Sequence, residues 1–118
     1  LSNIYSTIYS TLTQLGYTVR EQGSFAPGAI LPDTFITYQI IGKPSISFAD
    51  NRPTGYSARV QVALYSRDPE IKQNADNAIK AVMLPSGFLR VDGRDLPFDA
   101  GTGHYAYTVD YRYYEMEV

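Results

Sequence analysis

Residues 56–70, YSARVQVALYSRDPE, decide how the rest of the chain is read. From Tyr56 the side chains alternate in character. Tyr56, Ala58, Val60, Val62 and Leu64 fall on one face and Ser57, Arg59, Gln61, Ala63 and Tyr65 on the other, because successive strand residues point to opposite sides. One apolar and one mixed face describe a strand of an antiparallel sheet covered on one side only. The stretch then breaks into a helix start. Asp68 is placed to accept an early amide hydrogen as N-cap, Pro69 suits the first helical position, and Glu70 complements the positive helix end. Ile71, Ala75, Ala78, Ile79 and Val82 continue as the inward stripe of one helix, stopped by Pro85 and Gly87.

Upstream, LSNIYSTIYSTLTQLG repeats apolar residues at helical spacing, Leu1, Ile4, Tyr5, Ile8, Leu12 and Leu15, with Gly16 as a left-handed stop. YTVREQGSFAPGAILPDT reads as a short extended piece followed by a loop, and FITYQII, residues 35–41, as a strand closed by Gly42 and Pro44. SISF and the strand from Tyr56 form a hairpin, with Asp50, Asn51, Arg52, Pro53, Thr54 and Gly55 as an exposed, turn-rich tip. Downstream, Asp92-Gly93 reads as a tight hairpin turn, 99–103 as a glycine-rich loop, and His104 onward as a long terminal strand. On that strand Tyr105, Tyr107, Val109, Tyr111 and Tyr113 share a face opposite His104, Thr108, Asp110, Arg112 and Tyr114. The order of elements predicts one α+β domain over residues 1–118, an antiparallel β-sheet with two amphipathic helices packed on one face.

Composition narrows the function. A chain of 118 residues buries a single core without staples, and the absence of cysteine excludes disulfides, a thiolate nucleophile and cysteine-based zinc sites. Ten Lys and Arg against twelve Asp and Glu give no basic excess for nucleic acid. No apolar run reaches the ~18 residues of a membrane span, and no signal-like amino end is visible, so a soluble, unsecreted protein is expected. His104 is the single imidazole and has no nucleophile motif beside it, so it reads as a structural residue at a strand entry. Asp92, Asp95 and Asp99 lack the alternation of a calcium loop and read as turn residues. GTGHYA precedes a strand and has no lysine, so it is no phosphate loop. No catalytic residue, metal site or cofactor is expected. Eleven tyrosines stand out, and a tyrosine-rich face left open on the terminal strand suits a protein partner, since tyrosine offers large contact area with few rotamers to freeze.

LPDTFITYQI (31–40), SFADNRPTGYSARVQVALYSRDPEI (47–71), MLPSGF (83–88) and GHYAYTVDYRY (103–113), in this order and spacing, resemble the tail-terminator or tail-completion proteins of long-tailed bacteriophages, also described as tail-to-head joining proteins. Leu31-Pro32 opens a strand with Phe35 and Tyr38, Phe48-Ala49-Asp50 precedes the hairpin tip, and Val60, Val62, Leu64, Tyr65 and Ser66 run into the capped helix. The closing strand from Tyr107 to Tyr113 completes the succession. The resemblance implies a structural virion protein without an active site. Such a subunit forms a homo-oligomer, a hexameric ring that caps the tail tube, ends its polymerisation and meets the head-completion connector protein while DNA passes through. It implies assembly in the host bacterial cytoplasm and a place in the virion. Interface residues are expected at the tip, Phe48, Asp50, Asn51 and Arg52, and on the terminal strand, Tyr111 and Tyr113. A tail-tube subunit and a small ligand- or RNA-binding α+β module are the alternatives.

Overall fold

The computed structural model describes residues 3–49 and 52–116. Its elements are α1 (Ile4–Thr13), β1 (Thr18–Glu21), β2 (Thr34–Gly42), β3 (Ser45–Ala49), β4 (Arg52–Ser66), α2 (Pro69–Gln73), α3 (Ala75–Met83), β5 (Leu89–Asp99) and β6 (His104–Met116). The sheet runs β1-β2-β4-β6-β5, and β3 pairs with β4 off that path. Only β1 and β2 are parallel; every other pair is antiparallel. The fold is α+β, with the helices over one face of the sheet.

The register explains the inner face. Val62 lies between Tyr38 of β2 and Val109 of β6, Val60 between Ile40 and Tyr111, and Leu64 between Ile36 and Tyr107. Ile4, Ile8 and Leu12 of α1 and Ala75, Ile79 and Met83 of α3 close over these residues in one buried cluster. Of Ile71, Ile79 and Val82, expected to pack on Val60, Val62 and Leu64, Ile79 lies within this cluster, Ile71 and Val82 pack against it only partly buried, and Met83 is fully buried. Tyr5 departs from the expected stripe: it is 42% exposed, and Thr11 takes a buried place instead, donating to the Ser86 hydroxyl at 3.3 Å. Leu1 lies outside the described residues.

Local chemistry sets the helix ends. Asn3 Oδ1 accepts the Ser6 amide at 3.0 Å, and Asp68 Oδ1 accepts that of Glu70 at 2.9 Å, with Pro69 at the first turn. The single helix expected after Asp68 is interrupted at Asn74. Its side-chain amide donates to the Glu70 carbonyl at 3.0 Å, the local competition with helical geometry that makes asparagine a poor helix former. Gly87, at φ 93°, ends the helical layer.

Two expected turns are corrected. Asp92-Gly93 lies inside β5, opposite Asp110 and Val109, after a bulge between Arg90 and Asp92. Gly93 is required there by a close approach, because a Cβ would run into the Tyr107 ring and hydroxyl. The reversal between β5 and β6 falls at 99–103 as expected. Asp99 Oδ1 accepts the Gly101 amide at 2.9 Å, and the Gly103 amide donates to the Asp99 carbonyl at 2.7 Å. At the other hairpin, Phe48 pairs with Pro53 and Ala49 with Arg52, so Arg52–Gly55, expected in the turn, belong to β4, and Asp50 and Asn51 lie outside the described residues.

Candidate functional site

Three features of this fold offer themselves to a partner: an arm, a polar sheet face and an apolar cleft. The arm follows from strand lengths. β4 has 15 residues, β2 pairs with Arg59–Ser66, and β3 takes the same edge along Arg52–Tyr56, while β6 follows the other edge from Ser66 to Gly55. The molecule is correspondingly long, 53 × 29 × 24 Å.

Of the expected interface residues, Phe48 and Arg52 sit in this arm by strand register, and Asp50 and Asn51 lie outside the described residues. Tyr111 and Tyr113 are corrected. Tyr111 is 0% exposed within the core, its hydroxyl has no hydrogen-bond partner among the described residues, and burial pushes its pKa up to about 12. Tyr113 is half-buried, its ring 4.6 Å from that of Phe88. The tyrosine-bearing face of β6 is thus the face under the helices and offers no open platform. Its polar edge is organised around Arg90, which donates to both carboxylate oxygens of Asp76 at 2.9 Å and to the Tyr107 hydroxyl at 3.3 Å. These hydrogen bonds hold the Asp76 pKa below the usual carboxylate range.

The open face is the other one. At its centre Gln39 donates to Gln61 at 2.8 Å, and Gln61 to Asp110 Oδ1 at 3.4 Å. Arg59 donates twice to Asp110 Oδ2, at 2.9 and 3.1 Å. Diagonal pairing of Arg59 with Asp110 relieves a register that sets Arg59 opposite Arg112 and Asp92 opposite Asp110. Beside this network a hollow of about 120 Å³ is lined by Gln22, Thr37, Gln61, Tyr65, Arg94 and Thr108, among others. Next to it lies a more apolar cleft of about 310 Å³ bounded by Leu31, Phe35, Tyr65, Leu96, Pro97 and His104, among others.

His104 closes the end of that cleft. Its Nε2–H donates to the Pro32 carbonyl at 2.8 Å, and Nδ1 meets the Thr102 hydroxyl at 2.9 Å. Arg67 makes parallel ties, an ion pair to Asp33 at 2.6 Å and a hydrogen bond to the Thr102 carbonyl at 2.9 Å. Both side chains pin the 99–103 turn to the start of β2, and His104 has no ring nitrogen left for a substrate. Asp92, Asp95 and Asp99 have separate partners: Asp92 accepts from Gly93, Asp95 pairs with Lys72 at 3.1 Å, and Asp99 holds its turn. Sequence reasoning missed Gln39, Gln61, Arg94 and Leu96. The signal for the face was Asp110 and Arg112 on one side of β6 against Val109 on the other.

A scan against protein-family models finds none that matches this chain, and a search of curated proteins finds no match either.

Proposed function

We propose that this chain is a structural subunit of a long-tailed phage: it caps the tail tube, ends its growth and forms the tail side of the head–tail joint, acting as a ring without an active site. Support comes from the succession of sequence elements that resembles tail terminators, carried by an α+β fold with a helix capped by Asp68. The observation that carries the reading is the β3–β4–β6 arm, which prolongs the sheet past the end of β2 and brings Phe48 and Arg52 to its far part by register. An arm of this kind suits contact with a neighbouring subunit or the tube end, with Phe48 as apolar anchor and Arg52 as a rim contact that fixes orientation more than affinity. The helical layer over the sheet speaks against the alternative of a tail-tube subunit, which is expected to be mostly β.

The test is replacement of Phe48 by Ala together with Arg52 by Ser, in a tail-assembly system complemented by this gene. The circular dichroism of the subunit should stay unchanged while tails run to uncontrolled length or fail to join heads. Normal yields of correct virions from that double variant remove the arm from the interface. Native mass spectrometry at several concentrations reports the ring itself.

A further inference from the structure

The hollow and the cleft on the open face share Tyr65 and Leu96, so they form one groove with a polar and an apolar end. We propose that this groove docks an extended acidic polypeptide segment, with an apolar side chain in the cleft beside Leu31, Leu96 and Pro97 and a carboxylate on Arg94.

Charge complementarity points to an acidic occupant. The protein has a net charge of −2, yet its open face carries Arg20, Arg59, Arg94 and Arg112 against Asp92, Asp99 and Asp110; Asp99 borders the apolar cleft with Oδ1 held by the Gly101 and Thr102 amides, and Arg94 is the charged residue of the polar hollow. Arg59 neutralises Asp110. Arg94 and Arg112 have no carboxylate partner among the described residues, and Arg94 reaches the polar hollow. A planar guanidinium whose donors meet no acceptor among the described residues is suited to bidentate capture of a carboxylate.

The remaining lining points to a polypeptide. Gln22 and Thr37 line the hollow, and their side chains make no hydrogen bond among the described residues. Thr37 is nevertheless only 6% exposed. Amide and hydroxyl groups of this kind match the donors and acceptors of an extended backbone, and alternate side chains of such a segment fall on opposite sides. A nucleic acid would need free aromatic faces for its bases. Here Phe35 and Tyr65 stack on each other at 4.8 Å and 11°, and Phe25 and His104 meet Phe35 edge-on at 5.1 and 5.2 Å. Phe35 is 5% exposed, closed in by Phe25, Tyr65 and His104, so of this ladder Tyr65 is the aromatic ring that both hollows reach, with one face already taken by Phe35.

The groove needs no ring and stands apart from the tail-capping reading. The experiment uses the isolated chain as bait for a randomised peptide library in ribosome display, followed by titration of a selected synthetic peptide by calorimetry. Enriched peptides should pair Asp or Glu with a large apolar residue, and Arg94→Glu should weaken the selected peptide by about tenfold or more without shifting the melting curve. Exchanging the peptide's acidic residue for Lys should restore binding to Arg94→Glu, and Leu96→Asp should remove it. Failure to enrich any peptide, enrichment of peptides lacking an acid, or loss without charge-swap recovery overturns the proposal. Arg94-dependent binding of fluorescein-labelled oligo(dT) in place of peptide also overturns it, in favour of a nucleic-acid groove.

Discussion

Tyr111 and Tyr114 lie on the same strand and meet opposite fates: Tyr111 is 0% exposed beneath the helices, and Tyr114, on the other face of the sheet, is 49% exposed. The two faces differ in how they satisfy polar atoms. Beneath the helices, aliphatic side chains dominate and the Tyr111 hydroxyl has no partner among the described residues. On the open side, glutamine, arginine and aspartate form a connected network, and Arg94 and Arg112 have no carboxylate partner among the described residues. Position on a sheet or helix face, and not residue type, therefore sorts the tyrosines: Tyr38 and Tyr111 are buried under the helices, while Tyr5, Tyr9 and Tyr114 are exposed.

The sharpest way to break this contrast is to place a charge on the inner face. Val62→Asp puts a carboxylate among Tyr38, Val109 and the helices, where it has no partner, and should cost about 4 kcal/mol or leave the chain unfolded. Thermal or urea unfolding measures it, and a melting curve like the parent's would reverse the face assignment. A smaller effect is expected where the faces meet the edge strand. Gly93→Ala forces Tyr107 away from β5 and strains its contact with Arg90, at a cost of about 1–3 kcal/mol by urea unfolding. An unchanged midpoint would mean that Tyr107 does not lie across Gly93.

The smallest change is the most specific. Tyr111→Phe removes the unpaired hydroxyl and keeps the ring, so stability near neutral pH should stay within about 1 kcal/mol of the parent, or rise. Its signature is alkaline. The Tyr111 pKa is raised by burial from 10.0 to about 12, so the folded state keeps a proton that the unfolded chain releases first. The associated stability is complete below pH 10 and is lost as pH rises from 10.0 through about 12. Burial raises Tyr38 and Tyr107 in the same direction, and both remain in the variant. Tyr111→Phe should therefore weaken the alkaline fall in stability without abolishing it; an identical fall in both proteins would contradict the burial of the hydroxyl.

Much of the fold was legible because its signals are local. The alternation from Tyr56, the Asp68-Pro69 helix start and the glycine-rich reversal at 99–103 each depend on neighbouring residues, and each element lies where its pattern points. What escaped depends on partners distant in sequence. Both faces of β6 alternate properly, but which one the helices cover is decided by pairing Val62 with Val109. Asp92-Gly93 carries a turn signature, yet Gly93 serves the passage of Tyr107 from the adjacent strand. The open-face groove was invisible for the same reason: Gln22, Gln61 and Arg94 come from three strands or their ends and meet only across the folded sheet. His104 was legible as a structural residue by its isolation, though not as the tie between Pro32 and Thr102.

Nitration by tetranitromethane, mapped by mass spectrometry on the native subunit, tests the division of the two faces most directly. Tyr114 should be modified, along with Tyr5 and Tyr9 on the outer side of α1, while Tyr111 stays unmodified until the protein unfolds. Ready modification of native Tyr111 with protection of Tyr114 would show that the tyrosine-rich face is the open one and would contradict the account.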